Sequence, residues 1–344
     1  MRIPFCTFFC FLFLFASEIC ADEILSPSGT IKSPDSKDFF QHSAISDKFN
    51  ETWSYQLVFD NGTKAFINYA TLYVPGSGRK IGCDLSFSNF KGKNPSVGRQ
   101  YPPERLKENK SLSKISIKDE YFMEGLPGKG HRVYFTANKG GKFFVDISFE
   151  SALESKVKGN GIWTINGEKY AQYIHIPYGR ITGKIAYNGD TITVKGYGYM
   201  EHTWQTVQAT YLAVRSFNFS TAAANISYAG RIGITPNGEP WGHIVCTKKD
   251  KITLLTPKTI SDNGTIYSGK EFPKGRIQIH WIESQAPLSF DVSKPQQKFS
   301  LLNNFDGWFA KQATKLMMGG EIFFYRGRST DSDNNIIDWS FTGL

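Results

Sequence analysis

The chain has 344 residues, 40% hydrophobic and 21% charged, which allows a sizeable core and excludes wholesale disorder. Lys and Arg total 40 against 31 Asp and Glu, a formal charge of +9, and 15% of residues are aromatic. This composition excludes collagen, coiled coil and polytopic membrane protein, and the 28 Phe, 16 Tyr and 32 Gly point towards sheet.

Met1 and Arg2 precede an apolar run from Phe5 to Ala16. A basic start followed by about 12 apolar residues fits a secretory signal peptide. The run is shorter than the roughly 20 residues a spanning helix needs. Residues 1–21 therefore read as a leader cleaved after Ala21, and the mature chain as exported to a periplasm, a secretory lumen or the cell exterior. Cys6, Cys10 and Cys20 fall in the leader. Cys83 and Cys246 remain; an oxidising compartment permits them to pair, and two separate buried thiols are the alternative. Six N-x-Ser/Thr sequons, at Asn50, Asn61, Asn109, Asn218, Asn225 and Asn263, matter only on a eukaryotic secretory route.

Residues 22–50, rich in Ser, Pro, Asp and Lys, read as a flexible lead-in. From Thr52 the pattern becomes short strands with turn punctuation. Trp53, Tyr55, Leu57 and Phe59 alternate with polar residues, and Asp60-Asn61-Gly62-Thr63 supplies a hairpin turn. Strands follow at 65–74 and 81–90, then a long loop at 91–110, then strands at 112–118, 130–138 and 142–150. Ile181–Tyr187 and Thr191–Trp204 form a hairpin across Asn188-Gly189-Asp190. Further strands are expected at 210–219, 225–234, 241–247, 252–256, 275–282, 319–328 and 335–342. The one convincing helix runs from Asp306 to Met318 and ends at Gly319-Gly320. The expected fold is all-β: two antiparallel barrels, 51–207 and 208–344, with one short C-terminal helix.

Strong catalytic signatures are missing. There is no H-E-x-x-H, C-x-x-C or G-x-S-x-G, and the six His (42, 131, 175, 202, 243 and 280) never fall at metal-ligand spacing, so no metal and no cofactor is expected. Gly264 to Lys270 imitates a phosphate loop, but Glu271 replaces the hydroxyl residue. The positive charge is diffuse, which argues against nucleic acid and fits at most a loose attraction to membrane or polymer surfaces.

The informative stretch is Lys195-Gly196-Tyr197-Gly198-Tyr199-Met200-Glu201-His202-Thr203-Trp204-Gln205. In a regular strand Ile192, Val194, Met200, His202 and Trp204 share one face, and Tyr197, Tyr199 and Glu201 the other. Gly196 and Gly198 leave room for a bulge or a closely approaching ligand. Upstream, Tyr170 to Tyr178 is a second aromatic stretch containing His175; it leads into the strand expected to pair with 191–204, which would bring His175 and His202 near each other.

Thr52-Trp53-Ser54-Tyr55-Gln56-Leu57, Asn61-Gly62-Thr63, Ile174-His175-Ile176-Pro177 and Gly196-x-Gly198-Tyr199-x-Glu201-His202-x-Trp204 together resemble the fungal survival-factor family. They are also similar to the wider superfamily of carotenoid 1,2-hydratases, kievitone hydratases and fungal decalin-forming Diels–Alderases. The acidic-His-x-Trp core is the most specific element. Gln205 departs from the Gly of many relatives. The resemblance implies tandem lipocalin-like barrels and an apolar ligand held in a barrel or between the two.

The first reading is an exported binding protein for a lipid or other apolar small molecule, contacted by Tyr173, His175, Tyr197, Tyr199 and Trp204. The rival is a cofactor-independent hydratase, isomerase or cyclase acting on a terpenoid, polyene or phenolic substrate. Its general acid would be Glu201, its water would be ordered by His202, and Tyr199 or Trp204 would shield a carbocation. A third reading is an extracellular structural or interaction module in which Glu201 and His202 only fix the closure of one barrel or its contact with the other.

Overall fold

The alternation of apolar and polar residues that marks the strands also decides which way each sheet faces. The computed structural model describes residues 22–43, 46–74, 78–207, 209–222, 226–249, 251–261, 275–300 and 323–343. The leader expected over 1–21, the helix expected over 306–318 and the phosphate-loop-like stretch 264–270 lie outside the described residues. Among the described residues the chain is nearly all β, with two short 3-10 turns and one helical turn at Ala209–Leu212.

A 13-stranded antiparallel sheet holds the N-terminal half. Its centre is the long Glu168–Tyr187 and Asp190–Gln205 hairpin, followed outward on one side by Asn50–Phe59, Lys64–Val74, Gly78–Ser88 and Ser96–Tyr101. On the other side come Lys142–Ala152, His131–Asn138, Tyr121–Glu124, Lys114–Ile117 and Leu106–Asn109. The two edge strands, Ser96–Tyr101 and Leu106–Asn109, are joined only by residues 102–105, so the sheet curls back upon itself. Trp53, Tyr55, Leu57, Phe59, Ile67, Tyr69, Phe135, Val145, Ile147 and Met200 fill its hollow side. Bonds cross that interior: Tyr69 Oη donates to the Tyr134 carbonyl at 2.7 Å, and Tyr55 Oη lies 2.7 Å from His131 Nε2.

A seven-stranded sheet carries the C-terminal half. Its order is Lys251–Leu255, Pro240–Lys248, Ile226–Ile234, Arg215–Ala222, Ile336–Gly343, Phe323–Thr330 and Gln297–Ser300. With the three-stranded sheet Pro257–Ser261, Arg276–Trp281 and Leu288–Asp291 it encloses a second core around Phe217, Phe219, Ile232, Ile279, Phe290, Trp339 and Phe341. In both halves the residues between these core positions point to the outer face, and the two outer faces meet.

Two expectations change, and the open question of the two cysteines closes. The stretch 91–110 is not a long loop, because Ser96–Tyr101 pairs with Gly78–Ser88 and Leu106–Asn109 with Lys114–Ile117. Val97 fills the core there, an apolar anchor hidden among Gly, Pro and Lys. The lead-in is packed rather than free where it is described. A 3-10 turn at Ser36–Phe39 is held by reciprocal bonding of Asp35 and Asp38, and Phe39 is fully buried in the first core. Trp53 Nε1 donates to the Phe39 carbonyl at 2.8 Å. Cys83 and Cys246 are separate buried thiols, one in each core.

Candidate active site

Strand alternation splits the signature stretch in two. Glu201 faces the second sheet; His202 faces the interior of the first. Glu201 is fully buried and accepts from Tyr199 Oη at 2.8 Å, Asn218 Nδ2 at 2.8 Å, and both Nε (2.8 Å) and Nη2 of Arg231. Every contact is a donor, so the carboxylate acts as an acceptor. Burial opposes the charge of Arg231, but the Glu201 carboxylate beside it holds the guanidinium above its ordinary range.

A second crossing lies nearby. Asp338 of the C-terminal sheet is fully buried and pairs with Lys64 Nζ of the N-terminal sheet at 2.6 Å. Arg328 Nε and Nη2 close on the same carboxylate at 2.8 Å each, and Tyr197 Oη donates to it at 2.6 Å. Burial works to raise Asp338, and the Arg328 and Lys64 cations outweigh it, leaving the carboxyl below its usual range. Gln172 completes the seam: its Nε2 donates to the carbonyls of Arg231 and His243, and the His243 N–H donates back to Oε1, all at 3.1 Å.

Beside these pairs runs a cleft with about 80 Å³ of free space, lined by Gln56, Asn68, Tyr199, Asn218, Arg231 and Arg326 among others. Gln56 Nε2 and Asn218 Oδ1 are buried without a partner, and such groups carry an uncompensated cost unless a ligand or water meets them. Asp84 stands behind the wall, where Asn68 Nδ2 donates to its Oδ2 at 2.8 Å. Burial pushes Asp84 up to about 6, against the pull of Asn68 and Arg326. Arg326 is brought down to about 10 by burial, and its guanidinium lies 3.7 Å from the Phe66 ring centroid.

His202 belongs elsewhere. Its ring stacks on Trp53 at 4.5 Å and on His175 at 6.2 Å. His202 Nδ1 and His175 Nε2 both donate to the Asp38 carbonyl, at 2.6 and 3.1 Å, so the two histidines do come together. Burial is the main cause that brings His175 down to about 3. Tyr173 stacks on His42 and lies near His202, and Trp204 packs on Phe49 and His42. The seven residues singled out by sequence thus divide: Tyr197, Tyr199 and Glu201 lie at the seam between the sheets, while Tyr173, His175, His202 and Trp204 lie on the interior side. Asn218, a sequon residue, is buried against Glu201.

Gly196 and Gly198 make room for protein rather than for a ligand. A Cβ at Gly196 would stand 2.0 Å from the Val58 carbonyl oxygen, and one at Gly198 would stand 2.7 Å from the Phe149 ring. The bulges fall on the partner strand, around His175 and between Ile176 and Gly179.

Sequence reasoning missed Arg231, Asn218, Asp338, Lys64, Gln56, Asp84 and Arg326. Each occupies an outward strand position, where a polar residue ordinarily signals water.

No protein-family model matches the sequence, and no curated protein matches it. Solved structures do. A crystal structure assigned to AttH of Nitrosomonas europaea aligns over 93% of this chain and 99% of its own, with a TM-score of 0.60 and 12% identity. CghA aligns over 93% and 97%, with a TM-score of 0.56 and 12% identity. The chain shares their fold. At that identity the likeness covers the fold alone.

Proposed function

We propose that this chain is an enzyme of the hydratase, isomerase or cyclase type, acting on an apolar terpenoid, polyene or phenolic substrate in the cleft between the sheets. The observation that carries the reading is the buried polar cluster there, with unpartnered Gln56 and Asn218 atoms in the cleft and, behind Asn68 of its wall, a carboxyl that burial raises to about 6. The likeness to CghA, which has also been crystallised with Sch210972, supports a fold that accepts an organic ligand. We further propose that the two sheets are tandem lipocalin-like barrels over 51–207 and 208–344, and that the mature chain is exported.

Storage of a lipid inside a barrel is the weaker reading, because among the described residues both hollow sides are filled by aromatic and aliphatic side chains. The cleft's free space suits a few waters, against roughly 300–1,000 Å³ for an ordinary ligand site, so a polyene enters only if the sheets part.

In this scheme Glu201 is a positioning residue. It fixes Arg231, Tyr199 and Asn218, which bind the polar end of the substrate. Asp84 is the proton source from behind Asn68: its proton passes through a cleft water to the alkene carbon, a second water adds to the resulting cation, and the proton lost by that water returns by the same route to the carboxylate. The balance needs only alkene and water. The test is to incubate the purified chain with a panel of linear isoprenoids, polyenes and prenylated phenols and follow product masses. A product heavier by one water, absent with Asp84→Asn, is expected. No turnover by the wild type, together with a co-purifying lipid in native mass spectra, would return the binding reading.

A further inference from the structure

On the interior side of the same strand, three donor atoms converge away from the cleft. His42 Nδ1 and His202 Nε2 each lie 2.9 Å from Glu51 Oε1, and all three atoms lie within 4.8 Å of one another. The side chains of Glu51 and His202 are fully buried, while His42 is 26% exposed and opens the cluster to solvent. Local spacing could not show this, since His202 lies 151 residues beyond Glu51 in the chain.

Two further features point to a cation. The Asp38 carbonyl can only accept, so His202 Nδ1 carries a proton at 2.6 Å from it. With Nδ1 committed to that carbonyl, Nε2 is the ring atom that faces Glu51, and a backbone carbonyl orienting a histidine in this way is the usual outer support of a metal ligand. Independently, Glu51 Oε2 is buried with no hydrogen-bond partner. We propose that His42, Glu51 and His202 bind a divalent cation of the zinc class, clasping the Ser36–Phe39 turn and His42 to strands Asn50–Phe59 and Asp190–Gln205.

The donor set suits the ion. Two imidazole nitrogens and a carboxylate oxygen match a borderline-soft metal, and Glu51 Oε2 or a water beside His42 supplies a fourth position. Zinc–ligand bonds of about 2.0–2.1 Å place tetrahedral ligands about 3.3 Å apart, so the two 2.9 Å contacts must open by ~0.4 Å and the His42 and His202 nitrogens, which lie within 4.8 Å, must settle at the same spacing. The charge balance also improves. The dication neutralises the buried Glu51 carboxylate. The clasp takes no part in the proposed reaction, so its test stands apart from any turnover assay.

The chain, stripped with a chelator, is titrated with Zn²⁺ by calorimetry, alongside His42→Ala and Glu51→Gln. Thermal midpoints are recorded with and without the metal. The wild type should bind one equivalent and gain midpoint temperature on binding. Outer supports alone are worth roughly 10–100-fold in affinity, so losing a ligand should weaken binding by about 100-fold or more. His42→Ala also removes the stacking of His42 on Tyr173 and its contact with Glu51, so its metal-free midpoint is recorded first, and the affinity loss is read on the isosteric Glu51→Gln as well. Failure of the wild type to bind one equivalent, or equal affinity in the wild type and His42→Ala, overturns the proposal.

Discussion

Replacing Arg231 by Met tests whether the seam between the sheets is held by charge. Arg231 supplies two of the four hydrogen bonds on Glu201. Bonds to a charged group contribute roughly 1.5–3 kcal/mol each, and removing one partner of a buried pair costs roughly 3–5 kcal/mol. The Arg231 side chain is 27% exposed, which places the expected loss at the lower end, about 3 kcal/mol. Adding Glu201→Gln to Arg231→Met removes the stranded charge, and the double variant should recover about half of that loss. Urea is the denaturant of choice, because guanidinium screens the charges under test. Unfolding is followed by tryptophan fluorescence and far-ultraviolet circular dichroism, to detect separate melting of the two halves. A single variant within about 0.5 kcal/mol of the wild type, or a double variant that loses the sum of the two singles, would refute the coupling.

Three more outcomes follow from the buried groups and close contacts of the two halves. Asp84 is pushed up to about 6 from an ordinary 3.8, so the folded state favours its protonated form and that contribution is lost as pH rises from about 4 to 6. Asp84→Asn should therefore be more stable at neutral pH by up to ~3 kcal/mol while losing turnover; a variant no more stable than the wild type contradicts the burial argument. His131 and His243 are each brought down to about 4 by burial, so between about pH 6.5 and 4 each makes the unfolded state bind one more proton and costs stability as pH falls. His243→Gln should reduce the slope of stability against pH, near pH 5, by about 1.4 kcal/mol per unit, and an unchanged slope would count against it. Gly198→Ala should lose about 1–3 kcal/mol by crowding Phe149, with partial rescue by Phe149→Leu; a neutral Gly198→Ala would mean the ring yields freely.

Much of the fold was legible because alternation is local. Trp53, Tyr55, Leu57 and Phe59 announced a strand, and all four line one core. Short strands escaped for the same reason. Tyr121–Glu124 and Leu288–Asp291 hold two apolar core residues or fewer each, too few to establish a period. The site was legible only as a segment. Glu201 and His202 stood out because a buried Glu-His pair needs partners, but the partners come from Arg231, Asn218 and Asp38, and no spacing links those positions. Gln56, Asn68 and Arg326 misled in the opposite sense. Each sits on the outward side of a strand, and polar outward residues ordinarily mean solvent. Here the second sheet covers them.

The division of labour along Asp190–Gln205 depends on register. A slip of one residue would send Glu201 into the aromatic interior and His202 into the seam, exchanging every partner either now has. The strand is pinned where it is most crowded. Gly198 pairs with Gly179, and Cβ atoms added at these two positions would stand 2.7 and 2.9 Å from the Phe149 ring. On the other side Gly196 pairs with Phe59, with no space for a Cβ against the Val58 carbonyl. Only glycine at both 196 and 198 satisfies these contacts, and a slip would bring the side chains of Lys195, Tyr197 or Tyr199 into them. The two glycines therefore hold Glu201 towards Arg231 and His202 towards Glu51, which makes them determinants of both sites while touching neither.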